Sequence, residues 1–203
     1  MTNWDRLADE ETLNRTIEAL KNNGMTSIVA NNKEEAKETI LELIPKGAEI
    51  MTMTSQTLEA IGVLPILNES GDYNSLKTRF MSMDRATQGA EMQKLGASPE
   101  WVIGSVHAVT EEGHAFIASA TGSQLPAYAY GSAHVIWVVG TQKIVKDDHD
   151  AMKRIKEHTF PLEDARARKV YGMGSSISKV LTMNKEFQPG RITIVFVKEN
   201  LGF

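Results

Sequence analysis

Val135-Ile136-Trp137-Val138-Val139 is an unbroken apolar run of four β-branched residues around a tryptophan. A strand with one wet face alternates polar and apolar residues. This run does not, so it reads as a strand buried on both faces, as in the interior of a parallel sheet. It is also far shorter than the roughly 20 residues a membrane-spanning helix needs. Reading outward, Gly140-Thr141-Gln142-Lys143 leaves the strand as a polar turn, and Asp147 or Asp148 opens a helix to about His158. Pro161 starts another helix through about Tyr171. Ile177 to Met183 and Ile192 to Val197 close the chain as strands separated by Pro189-Gly190. Upstream of the run, a short helix begins near Gln124.

The N-terminal half shows the same alternation. Leu13, Ile17 and Leu20 recur at helical spacing between Ala8 and Asn23 and stop at Gly24. Thr26 to Ala30 reads as a strand, and Asn32 with Glu35 forms a capping-box pattern opening a helix over 34–44. Ala48 to Thr52 is a second strand, followed by a short helix capped by Thr54 or Ser55 and ended by Gly62. Pro65, Asn68, Gly71, Asp72 and Asn74 break the pattern over 63–83 into short helical turns and loop. After a helix from about Arg85 to Lys94, segments 101–110 and 114–120 flank Glu111-Glu112-Gly113 as a hairpin. No linker or repeat divides residues 1–203. The expectation is a single α/β domain, a three-layer sandwich whose mostly parallel sheet carries an antiparallel hairpin.

Composition narrows the function. The 203 residues are 41% apolar and 24% charged, as in an ordinary globular chain. A formal charge of −4 gives no positive field for nucleic acid. The absence of cysteine excludes disulfides, thiolate metal sites and a cysteine nucleophile, so redox chemistry falls to a partner. Met1-Thr2-Asn3-Trp4-Asp5-Arg6 lacks the layout of a secretory signal, and a cytoplasmic location follows as the expectation. No cofactor or metal is called for, because the five histidines form no metal motif.

Parallel sheets collect ligands at the C-terminal ends of their strands. Three loops qualify. Ser55 and Thr57 lie in a hydroxyl-rich strand-to-helix turn that can donate to an anion, although simple N-capping accounts for the same residues. In Thr121-Gly122-Ser123-Gln124 the glycine admits close backbone approach, and a tight structural turn is the alternative. Thr141 and Lys143 leave the most hydrophobic strand, and Lys143 supplies the ammonium of these loops. Glu111 and Glu112 are candidate nucleophile or base if the hairpin turn folds over the pocket. Acids at a solvated turn need no such role.

The run Ser105-Val106-His107-Ala108-Val109-Thr110-Glu111-Glu112-Gly113, continuing through Ala118-Ser119-Ala120-Thr121-Gly122-Ser123-Gln124, resembles the LUD (lactate-utilisation) domain of the NagB/RpiA/CoA-transferase-like superfamily. His134 to Val145 and Tyr171-Gly172-Met173-Gly174-Ser175 extend the likeness over most of the chain. The resemblance implies a Rossmann-like sandwich, homo-oligomers, and lactate or organic-acid utilisation beside redox proteins that carry their own cofactors. It further implies a small anionic metabolite (carboxylate, phosphate or CoA ester) at Thr121, Gly122 and Ser123. The chain departs from the pattern at Met51-Thr52-Met53-Thr54, where relatives have a glycine-rich loop. Two other readings stand beside this one: an isomerase or acyl-CoA transferase using Glu111 or Glu112, and a non-catalytic sensor or assembly module.

Overall fold

The computed structural model describes residues 3–203. Helix α1 (Glu10–Asn22) starts where the Asp9 carboxylate accepts the Thr12 N–H at 2.9 Å and buries Leu13, Thr16 and Leu20. Strand β1 (Thr26–Ala30) leads to α2 (Lys33–Leu43), capped by Asn32 accepting from Glu35 N–H at 2.9 Å. The Glu35 carboxylate reaches back to the Asn31 N–H, one residue beyond the usual capping-box partner. β2 (Glu49–Thr52) follows, then α3 (Gln56–Ile61), capped by Ser55 through the Leu58 N–H.

Residues 63–83, expected as helical turns and loop, form α4 (Leu64–Glu69), the two-residue β3 (Asn74–Ser75) and α5 (Leu76–Met81). The chain continues through α6 (Arg85–Ala97), β4 (Trp101–Gly104), β5 (Ala108–Thr110), β6 (Ala115–Ser119) and β7 (His134–Gly140). The remainder comprises β8 (Ile144–Val145), α7 (Asp148–Arg154), α8 (Phe160–Tyr171), β9 (Lys179–Met183) and β10 (Ile192–Val197). Among these described residues no helix is long and apolar enough to cross a membrane.

Six strands form a wholly parallel sheet in the order β1-β10-β7-β4-β2-β3, with β7 inside it. The quoted run divides between the two faces, as a strand covered on both sides must. Val135, Trp137 and Val139 join a core with Leu13 and Leu20 of α1, whereas Ile136 and Val138 join Ile40 of α2, Leu58 of α3 and Leu67 of α4.

The hairpin is where the expectation needs correction. Segment 101–110 is not one strand. Its first part, β4, belongs to the parallel sheet, and the chain then turns at Ser105–His107 so that β5 enters a second sheet, ordered β8-β5-β6-β9. One face of this second sheet contributes Val109, Ala115, Ile117 and Met183 to the core shared with α1, and the other packs Ala108 and Phe116 against Ala151 and Ile155. Both parts are apolar and β-branched, so composition carried no sign of the switch.

Pro161 stands in the first turn of α8, as expected, yet α8 is not separated from α7. The chain is helical from Asp148 to Tyr171, with the turn at Ile155–Thr159 widened so that the Phe160 N–H bonds Ile155 O. The widened turn accommodates a proline that lacks an N–H of its own.

Candidate functional site

Because β10, β7, β4 and β2 are parallel neighbours, the loops leaving them emerge together at one edge. The centre of that edge is Lys143. The residue is 1% exposed, and its Nζ donates to Thr57 Oγ1 at 2.9 Å, Ser105 Oγ at 3.1 Å and Val106 O at 3.2 Å. Residues from the loops after β2, β4 and β7 thus meet at one nitrogen. Burial, reinforced by the positive Arg154, pushes the Lys143 pKa well below the ordinary lysine value.

Residues 198–202 close this edge. Thr57 donates to Leu201 O at 3.2 Å, and Gln142 Nε2 to Leu201 O at 3.0 Å. Gly140 permits the approach, since a Cβ there would strike Gln142 Oε1 and Glu199 O. Under this cover the Thr141 hydroxyl and Gln142 Oε1 are buried without a partner among the described residues.

Further basic groups sit beside Lys143. His107 Nδ1 accepts the Ala118 N–H at 3.0 Å, which places the ring proton of the neutral form on Nε2. Burial, then the charges of Lys143 and Arg154, push its pKa down to about 3. Arg154 is fully buried; its Nη1 donates to His107 O at 2.6 Å and Thr159 Oγ1 at 3.1 Å, and its pKa is held down to about 10 by burial. His158, one turn further along, is lowered by burial and by Arg154. The carboxylate that acts on Arg154 and His158 is Asp5, whose Oδ1 is 3.6 Å from His158 Nε2. The cluster therefore holds more basic groups than acids, at the place where a parallel sheet takes ligands.

Of the residues singled out from sequence, Thr57, Thr141 and Lys143 come together here, with Ser55 capping α3 alongside. Thr121, Gly122, Ser123 and Gln124 form a loop closed on itself. Gly122 N–H donates to Ser119 Oγ at 2.8 Å, which donates in turn to Gln124 Oε1 at 3.0 Å, and Lys179 binds Thr121 O at 3.1 Å. No hydrogen bond among the described residues joins that loop to Lys143. Glu111 is paired with Arg15 of α1 at 2.9 Å, and the Glu112 carbonyl accepts from Asn23 at 3.0 Å, so the hairpin turn is fastened to α1. The exposed Glu112 also lies near His114 and Asp148, which bond each other at 2.8 Å.

Arg154, His158, Ser105 and Asp5 escaped the sequence reading. A signal for two of them was present: Ala151, Arg154, Ile155 and His158 fall at i, i+3, i+4 and i+7, so the Arg and His share a face with apolar residues. An open surface depression lies elsewhere, beside β3 among Asn68, Tyr73 and Arg79. It contains no cluster of basic groups like that around Lys143.

Comparison with known proteins gives a consistent picture. The family profile described as LUD domain matches residues 13–197. A crystal structure of a DUF162 family protein from Deinococcus radiodurans superposes with a TM-score of 0.57 at 13% identity, covering 95% of this chain and 99% of that one. At that identity the likeness concerns fold alone. Crystalline eIF2B beta from Chaetomium thermophilum aligns with 68% of this chain and 44% of that one at 14% identity, but its TM-score of 0.32 carries no argument. No curated protein matches the chain significantly.

Proposed function

The chain belongs to the LUD domain family, and from that premise we propose that it binds a small organic anion at the strand-end cluster around Lys143. The carrying observation is the lysine itself, a residue with 1% exposure whose Nζ meets only neutral oxygens, at 2.9, 3.1 and 3.2 Å. Holding this group charged without a counter-charge is costly, which is why burial depresses its pKa, and an arriving anion offsets that cost. The hydroxyls of Thr57, Ser105 and Thr141 supply neutral hydrogen bonds around it.

In this reading the protein serves the utilisation of lactate or a related organic acid, beside redox proteins that bring their own cofactors. The loop Thr121–Gln124, tied to itself and to Lys179, supports the reading less directly than Lys143 does. A transferase using Glu111 as nucleophile would first have to break the pair with Arg15. Association of copies draws support from the exposed Val170, Tyr171 and Met173 and from β9 at the edge of its sheet.

A thermal-shift screen over hydroxy and keto acids, sugar phosphates and CoA esters tests the proposal, since a ligand of the native state raises stability by linkage. Stabilisation by one class that is lost in Lys143→Met is the expected result. A flat response across the panel contradicts it.

A further inference from the structure

The arginines of this chain supply their own comparison. A guanidinium presents its Nε–H and one Nη–H side by side, the fork that grips a carboxylate. Arg191 uses it on Glu186, with Nε and Nη2 at 2.7 and 2.6 Å from Oε2, while its Nη1 donates to Ser132 O at 3.1 Å. Arg166 grips both oxygens of Glu163, at 2.7 and 2.8 Å. Arg15 turns the same edge to Glu111, at 3.3 and 2.9 Å, and Arg168 turns its Nε to Asp164 at 2.8 Å.

Arg154, buried like Arg191, differs from these four. Its Nη1 is anchored on His107 O and Thr159 Oγ1, much as Arg191 is anchored on a backbone carbonyl. Its Nε and Nη2 are buried and have no partner among the described residues. Among the described residues no salt bridge neutralises this side chain, which is 0% exposed. Burying a charged fork without an acceptor is among the costlier arrangements a protein can hold. His158 Nε2 is likewise buried and makes no hydrogen bond among the described residues, its nearest acid being Asp5 at 3.6 Å.

We propose that the Nε/Nη2 edge of Arg154 is the seat for the carboxylate of a small-molecule ligand, with His158 beside it and Asp5 as the chain's own screening anion. This inference rests on the anion reading above and assigns the ligand's charged end to a residue outside the Lys143 contacts. The carboxylate makes with Arg154 the two-point contact that Glu163 makes with Arg166. Asp5 is placed to compete for the site. Its carboxylate is exposed, lies 3.6 Å from His158 Nε2, and is held by Asn200 Nδ2 at 3.1 Å, so the segments flanking Asp5 and Asn200 meet over this end of the cluster. A ligand carboxylate seated on Arg154 displaces Asp5 from His158 without breaking any buried ion pair of the fold.

The test uses sodium acetate as the probe and sodium chloride at matched ionic strength as the control, with the thermal midpoint as readout. Acetate is expected to raise the midpoint above chloride in the wild-type chain. Arg154→Lys, which keeps the charge and loses the fork, is expected to need about tenfold more acetate or more for the same effect. Asp5→Asn changes an exposed side chain and keeps the test intact should Arg154→Lys fail to fold; it is expected to lower the acetate requirement several-fold. Acetate indistinguishable from chloride in both the wild type and Asp5→Asn overturns the assignment. An acetate effect abolished in Lys143→Met yet unchanged in Arg154→Lys leaves the anion reading standing and removes Arg154 from it.

Discussion

The basic residues of the cluster carry opposite-looking consequences for stability that share one sign. His107 has a folded pKa near 3, below its ordinary 6.5. Between those values the unfolded chain binds a proton that the folded chain refuses, so stability falls as the pH drops through that window. Its limiting slope is about 1.4 kcal/mol per pH unit for one proton. His107→Gln, which cannot titrate, is expected to flatten the acid limb of a denaturation series by about that slope; an unchanged limb contradicts the assignment. Lys143 is depressed from the alkaline side. Below 10.5 the unfolded chain again holds the extra proton, so stability is expected to climb as the pH rises toward that value. Denaturant midpoints from pH 7 to 10 check this, and Lys143→Met should remove the climb. The same variant costs little stability in itself, because it removes a buried amine whose charged form the fold disfavours. This residue scale was half legible in the sequence. Lys143 and Thr57 stood out because polar groups following a buried strand and opening a helix are conspicuous. Arg154 did not, because an arginine within a charged helix reads as surface until its neighbours on the same face are known to be Ala151 and Ile155.

At the scale of elements, the caps and the buried run were readable because each rests on local chemistry: the α2 cap on Asn32 accepting the Glu35 N–H while the Glu35 carboxylate takes that of Asn31, Val135–Val139 on the lack of any polar face. The switch from β4 to β5 and the continuous helix through Pro161 were not, since both are settled by tertiary packing. The widened turn at Ile155–Thr159 sets Arg154 and His158 on the side of β5 rather than letting the helix run on evenly. Deleting the exposed Lys156 restores ordinary helical spacing. Circular dichroism should show the helix content retained while stabilisation by anions is lost; retained stabilisation contradicts the role given to this turn. Gly140 makes a second prediction. A methyl group at that position meets the Glu199 carbonyl, so Gly140→Ala is expected to destabilise by about 2 kcal/mol in a urea titration. An effect within experimental error refutes the close packing of the 198–202 segment on the site.

Seen whole, the molecule places its basic cluster under cover from both chain ends. Asp5 and Asn200 bond each other across 195 residues of sequence, and Leu201 is buried in the core on the α2 face. Such cover explains how a chain with a net charge of −4 keeps several basic groups together out of water, and why the sum of charges gave no hint of an anion site. The succession of strands and helices along the chain was legible because each element is marked by local signals, its caps, its apolar period and its turn residues. The division into two sheets and the meeting of the two end segments were not, because both depend on contacts between distant residues.

Binding at such a cluster has a signature that surface attraction lacks. An anion arriving beside depressed basic groups raises their pKa values and draws protons from solution. The direct measurement is calorimetric titration of the protein at neutral pH with small carboxylates, repeated in two buffers of different ionisation enthalpy. The account predicts saturable binding whose heat differs between the buffers by net proton uptake, abolished in Lys143→Met. Binding with no proton uptake, or binding that survives unchanged in Lys143→Met, contradicts it.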